Sequence, residues 1–179
     1  LGGVYVDGTG DSDGTIIADT IATLSGVPEG LDGWDTQGFP NPNGGYSVYV
    51  VGQYDGDISA ETIEGSLFFS RFGATINAPD AVLSDLIIAG RLKWYADINV
   101  DTLGGLFVGE QVEYSTADNQ GAQITADSIG TLSTVSEELF DTDVSPNPNG
   151  YSIYVGWYHG GDIEITDGNI GDIFIGGIE

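Results

Sequence analysis

The chain has no cysteine and no methionine, a single histidine (His159) and only three bases, Arg71, Arg91 and Lys93. Without cysteine there is no disulfide framework and no thiolate metal centre, so an apolar core must hold the fold alone. One histidine leaves no cluster of imidazoles to bind a metal. No apolar run approaches the ~18 residues that a membrane-spanning helix needs. The stretch beginning Leu1-Gly2-Gly3 has neither the basic nor the apolar region of a signal peptide, and position 1 is not methionine, so the start reads as internal to a larger precursor. The scarcity of bases is matched by 28 acids, 19 of them aspartate by count, for a formal net charge of −25. Such a surface repels nucleic acid and anionic membranes, and suits divalent cations, a salty medium or simple solubility.

What is present points to β-structure. Apolar residues make up 40% of the 179 residues and aromatics 11%, too much for a disordered segment. Glycine, at 29 residues, shows no collagen-like period and implies many tight turns. No window of a dozen residues keeps glycine-free helical apolar spacing. Residues 78–90 come nearest and could form a short helix behind Pro79, but the run IIAG at 87–90 continues a strand-like phrase. The segments YSVYVV, from Tyr46, and YSIYV, from Tyr151, alternate aromatic and β-branched residues and are the strongest strand signals. Each follows Asn-Pro-Asn-Gly, a turn in which proline fixes φ and Asn-Gly accepts positive φ.

The most informative feature is self-similarity. TIIADTIATLS at 15–25 returns as QITADSIGTLS at 123–133, and NPNGGYSVYV at 41–50 as NPNGYSIYV at 147–155. LGGVYV at 1–6 returns as LGGLFV at 103–108. The chain therefore reads as about 1.7 copies of a ~105-residue unit: 1–14 ending one unit, 15–121 a full unit, and 122–179 a partial one. A shorter phrase, isoleucine followed by alternating apolar residues, starts at Ile16, Ile58, Ile76, Ile98, Ile124 and Ile163. Its spacings are 42, 18, 22, 26 and 39. If each long gap hides one further turn, the period is roughly 20 residues. Polar pairs such as Asp19-Thr20, Glu61-Thr62, Asp101-Thr102 and Asp127-Ser128 can bend the chain between short strands. Strands this short are stable only when stacked, which predicts a single-stranded parallel β-helix (a β-solenoid) of about eight coils.

The phrasing GDIEITDGNIGDIFIGGIE, at the end of the chain, resembles the repetitive parallel β-helix stretches of large bacterial surface and adhesin-like proteins. That resemblance implies an extracellular, elongated, right-handed coil and supplies no catalytic residues. Polysaccharide lyases built on parallel β-helices rely on basic residues, and only Arg71, Arg91 and Lys93 could serve, so no enzyme is expected.

Three functional expectations follow. The first is a structural polymer (a surface layer, sheath or filament) whose partners are copies of itself. Its candidate assembly edge is the apolar stretch from Ile170 to Ile178, with Ile173 and Ile175 as the assembly residues. The second is an adhesin stalk or glycan-binding module, in which Trp34, Trp94, Trp157 and the tyrosines could stack on sugar faces, with Tyr54, Trp157 and Tyr158 grouped beside His159. The third is an acidic loop for Ca²⁺, with Asp7, Thr9, Asp11 and Asp13 as oxygen ligands spaced by glycines. That loop matches only part of an EF-hand pattern, and a solvated acidic turn is an equal reading.

Overall fold

The computed structural model describes residues 1–6, 11–27, 38–140 and 145–176. Among them the protein is all-β, with one short 3₁₀ turn at Glu137–Leu139. Twelve strands join in one mostly parallel sheet. Of the strand pairs formed by described residues, only Tyr114–Ser115 with Gln120–Gly121 is antiparallel.

The parallel pairs line up in three columns. The first runs Ile16, Ile58, Ile76, Ile98, Ile124, Ile163. These are the six isoleucines that open the sequence phrase, so the short repeat corresponds to direct strand pairing. The second column runs Val4, Val48, Leu67, Leu86, Leu106, Ile153, Ile173. The third runs Ser12, Tyr54, Phe72, Leu92, Val112, His159. Between Ile58 and Val112 the chain visits the columns in the same order three times.

Side-chain spacing shows why the chain bends where it does. Ile98, Val100 and Leu103 are all buried, as are Ile58, Ala60 and Ile63, and Ile124, Ala126 and Ile129. Strict alternation would send the third member of each trio outward. The polar pair before it (Asp101-Thr102, Glu61-Thr62, Asp127-Ser128) takes the extra position and turns the strand while keeping it in the ladder. The inward side chains merge into one apolar cluster that runs through all three columns. Residues 78–90 lie almost wholly within the strand Thr75–Ile88 rather than in a helix, and Pro79 sits at a register shift between Ala78 and Val82.

A second apolar cluster lies on the other face of the middle column. Tyr5, Tyr49, Phe68, Ile87, Phe107, Tyr154 and Phe174 occupy one register line. Tyr49 stacks on Phe68 with ring centroids 4.3 Å apart, and Tyr154 on Phe174 at 4.7 Å. Two excursions cover this face: one brings Leu24, Val27 and Phe39, the other Leu132, Val135, Leu139 and Phe140. This corrects the expectation of a hidden turn in each long gap. Ile16 pairs directly with Ile58, and Ile124 with Ile163. Among the described residues of these gaps, those that pack inward lie over the aromatic ladder rather than in the first column. That column holds six phrases rather than eight.

Two matching positions of the ~105-residue sequence repeat make matching hydrogen bonds. Asn43 donates to Val27 O (3.0 Å) and accepts from Val27 N (2.9 Å). Asn149 does the same with Val135, at 3.0 and 3.1 Å. In each Asn-Pro-Asn the first asparagine accepts from the backbone N–H of the second at 2.9 Å. Asparagine recurs there because its amide imitates a strand partner, donating and accepting at once.

Candidate assembly surface

The last described layer consists of Asp162–Ile165 and Ile173–Ile175. Among the described residues the former pairs only with Gln123–Ile129, and the latter only with Ile153–Val155. Their inward side chains continue the apolar columns but are half covered. Ile173 is 49% exposed and Ile175 46%, whereas their register partners Ile153 and Val155 are 0%. Ile163, Ile165 and Ile170 pack against the core and are only partly buried. Ile173 and Ile175 thus lie together on an apolar strand whose second edge has no partner among the described residues. The predicted stretch 170–178 is shorter as a strand: Ile170 makes an isolated bridge to Ile129, and Ile178 lies outside the described residues. At the opposite end of the columns Val4–Val6 pairs with Tyr46–Tyr54, and Ile16–Ile21 with Ile58–Ile63.

The aromatic grouping expected from sequence separates. Trp157 (52% exposed) and Tyr158 are on the surface, the latter in the strand Tyr158–His159. Tyr54 is 2% exposed and faces the core, where its ring stacks on Phe72 and its hydroxyl donates to the carbonyls of Gly14 and Asp57. Burial, with Asp57 nearby, pushes its phenol up to about 12. Tyr54 is therefore a core residue and not a surface ligand position. Its inward register, rather than its aromatic character, decides this. His159 continues the third column below Val112, with Nδ1 buried and without a hydrogen-bond partner. Burial lowers its pKa, partly opposed by Asp162. Trp34 lies outside the described residues.

Trp94 is one of the tryptophans that suggested sugar stacking; what the sequence did not reveal is that it lines a shallow cleft of about 260 Å³ with Tyr95, Asp97, Gln120 and Gln123. The Trp94 and Tyr95 rings meet edge to face at 5.2 Å, and Tyr95 donates to Asp55 at 3.0 Å. The turn carrying both aromatics lies near the Tyr114–Ser115 hairpin only through register, which leaves no local signal in the sequence.

Of the expected calcium ligands, Asp7 and Thr9 lie outside the described residues. Asp11 begins the exposed strand Asp11–Ser12, paired with Gln53 and Tyr54, and Asp13 follows it, also exposed. No group of three or more metal-ligating side chains occurs among the described residues. Two of the three bases meet acids one layer away: Arg91 reaches Glu110 at 2.7 Å and Lys93 reaches Glu113 at 3.3 Å. The chain matches none of the protein-family models, curated proteins or solved structures with which it was compared.

Proposed function

We propose that this chain is a segment of a parallel β-helix that serves as an extracellular structural scaffold and self-associates through the half-exposed apolar strand Ile173–Ile175. The observation that carries this reading is the half-exposed row of Ile173 and Ile175 in the core register. A strand edge with no partner among the described residues and half-exposed isoleucines favours further β-pairing. The columns supply rigidity, because every layer is hydrogen-bonded to the next. The extracellular setting rests on the resemblance to bacterial surface proteins, and the acid excess keeps such a rod soluble. Sedimentation velocity over a wide concentration range tests the assembly. Elongated oligomers are expected, and Ile175→Asp should abolish them. Monomers at every concentration would remove self-association from the proposal.

A second reading, a glycan-binding module, is favoured by the cleft at Trp94 and Tyr95. An indole face beside amide and carboxylate side chains suits the apolar face and hydroxyls of a neutral sugar. Glycan-array binding that is lost in Trp94→Ala and retained in Trp157→Ala would support it. No binding by the unaltered chain would remove it.

A further inference from the structure

Both Asn-Pro-Asn turns end in an Asn-Gly step, Asn43-Gly44 and Asn149-Gly150. Such a step favours ring closure, because a glycine nitrogen with no Cβ beside it can approach the Cγ of the preceding asparagine. Both asparagines are exposed, so burial does not shield them. Hydrogen bonds hold the reacting groups instead. The Asn149 amide bridges the backbone of Val135, accepting at 3.1 Å and donating at 3.0 Å, while Gly150 N–H donates to Leu132 O at 2.9 Å. The Asn43 amide bridges Val27 in the same way, at 2.9 and 3.0 Å, and Gly44 N–H donates to Asn41 O at 2.9 Å. Ring closure swings the asparagine side chain back over its own backbone. That movement breaks both bonds to the valine, and the glycine N–H must leave its acceptor as well.

We infer that Asn43 and Asn149 are modification sites, at which the native latch holds off spontaneous deamidation and deamidation in turn releases the excursion that the latch secures. In the reaction the Gly150 nitrogen gives its proton to water and bonds to Asn149 Cγ. The Cγ–Nδ2 bond breaks, and the departing nitrogen takes up a proton and leaves as ammonia. Water then opens the cyclic imide to aspartate or, by attack at its other carbonyl, to isoaspartate. Asn43 and Gly44 react alike. Either product lacks the Nδ2 donor and sets a carboxylate against the valine carbonyl, acceptor against acceptor. Isoaspartate also adds a methylene to the main chain and displaces the turn. The excursions so released are those that cover the aromatic face, where Phe39 meets Phe68 edge to face at 5.3 Å and Leu132 and Val135 are buried. The inference does not depend on the assembly proposed above.

The test incubates the full natural chain at mildly alkaline pH, native and in unfolding urea. Each Asn-Gly step is followed by peptide mass spectrometry after pepsin digestion. Conversion should be at least about tenfold slower in the native chain at both steps, because several hydrogen bonds must break first. Asn149→Asp and Asn43→Asp install the product directly. Each should speed amide exchange in its own excursion about tenfold or more, at Leu132 for the first and Leu24 for the second, whose N–H groups donate to Tyr151 O and Tyr46 O. The other excursion of the same variant serves as the reference. Native conversion as fast as that in urea at either step overturns the protection, and unchanged exchange in either variant overturns the release. Conversion is read on the natural chain, so the first outcome stands even where a variant does not fold.

Discussion

At the scale of single residues, Asp85 and His159 are the least expected occupants of their positions. Asp85 is 1% exposed, and its Oδ2 accepts from the backbone N–H groups of Ser133 and Thr134 at 3.0 Å each and from Thr134 Oγ1 at 2.7 Å. Neutral donors, not a cation, compensate this buried carboxylate, and through it the strand Thr75–Ile88 grips the second excursion. Asp85→Ala strands those donors, and we expect a loss of about 2–3 kcal/mol in urea unfolding, with Asp85→Asn losing roughly half as much because one acceptor oxygen survives. His159 titrates in the opposite sense to a paired histidine. Its folded pKa is depressed, so below the unfolded value of about 6.5 the unfolded chain takes up the proton more readily and stability falls with pH. Comparing urea midpoints of the natural chain and His159→Phe at pH 7.5 and pH 5 reads this contribution. The natural chain should lose more stability on acidification, and parallel losses would show that the imidazole is not desolvated.

At the scale of elements, the repeated Leu-Gly-Gly shows how sequence similarity reports close approach. A Cβ on Gly105 would lie 2.6 Å from Leu132 N, and one on Gly3 would lie 2.6 Å from Leu24 N. The second glycine of each triplet lets an excursion cross directly over the ladder. Gly105→Ala should therefore cost about 2 kcal/mol or more by thermal denaturation, while Gly14→Ala, with nothing within 4 Å of its Cβ, should be nearly neutral. Equal effects would mean that the excursion yields freely. These elements also mark where sequence reasoning reaches and where it stops. Strand phrases are legible because their inward residues repeat with the register, and Ile16 through Ile163 fall into one column for that reason. The excursions read as hidden turns in sequence because a segment that covers an aromatic ladder must be as apolar as one that builds a column. Leu24 and Leu132 differ from column leucines only in what they cover. Ile173 and Ile175 were legible as an apolar strand, but that they pair on one side only is a fact of topology. Tyr54 and the Trp94 cleft were illegible because facing direction and distant neighbours depend on accumulated register, which no local window carries.

At the scale of the whole molecule, stacking in register has an electrostatic consequence. Layers that repeat isoleucines inward also repeat acids outward: Asp19 lies opposite Glu61 and Asp101 opposite Asp127, each between paired neighbours. Like charges directly across a strand pair destabilise it, and with a net charge of −25 the few bases relieve only the layers near Arg91 and Lys93. Screening by salt is then part of the stability of the stacked sheet. The Debye length falls from about 30 Å at 0.01 M to about 8 Å at 0.15 M salt, still longer than the ~4.8 Å between neighbouring strands. Tm should accordingly continue to rise above 0.15 M sodium chloride instead of levelling there. The melting series also decides the role of the acidic loop. Screening depends on ionic strength alone, so micromolar calcium at fixed sodium chloride should leave Tm unchanged. A chelator-reversible rise at micromolar calcium, absent in Asp13→Ser, would instead assign Asp7, Thr9, Asp11 and Asp13 to a bound ion, because only a site with matching affinity responds at that concentration.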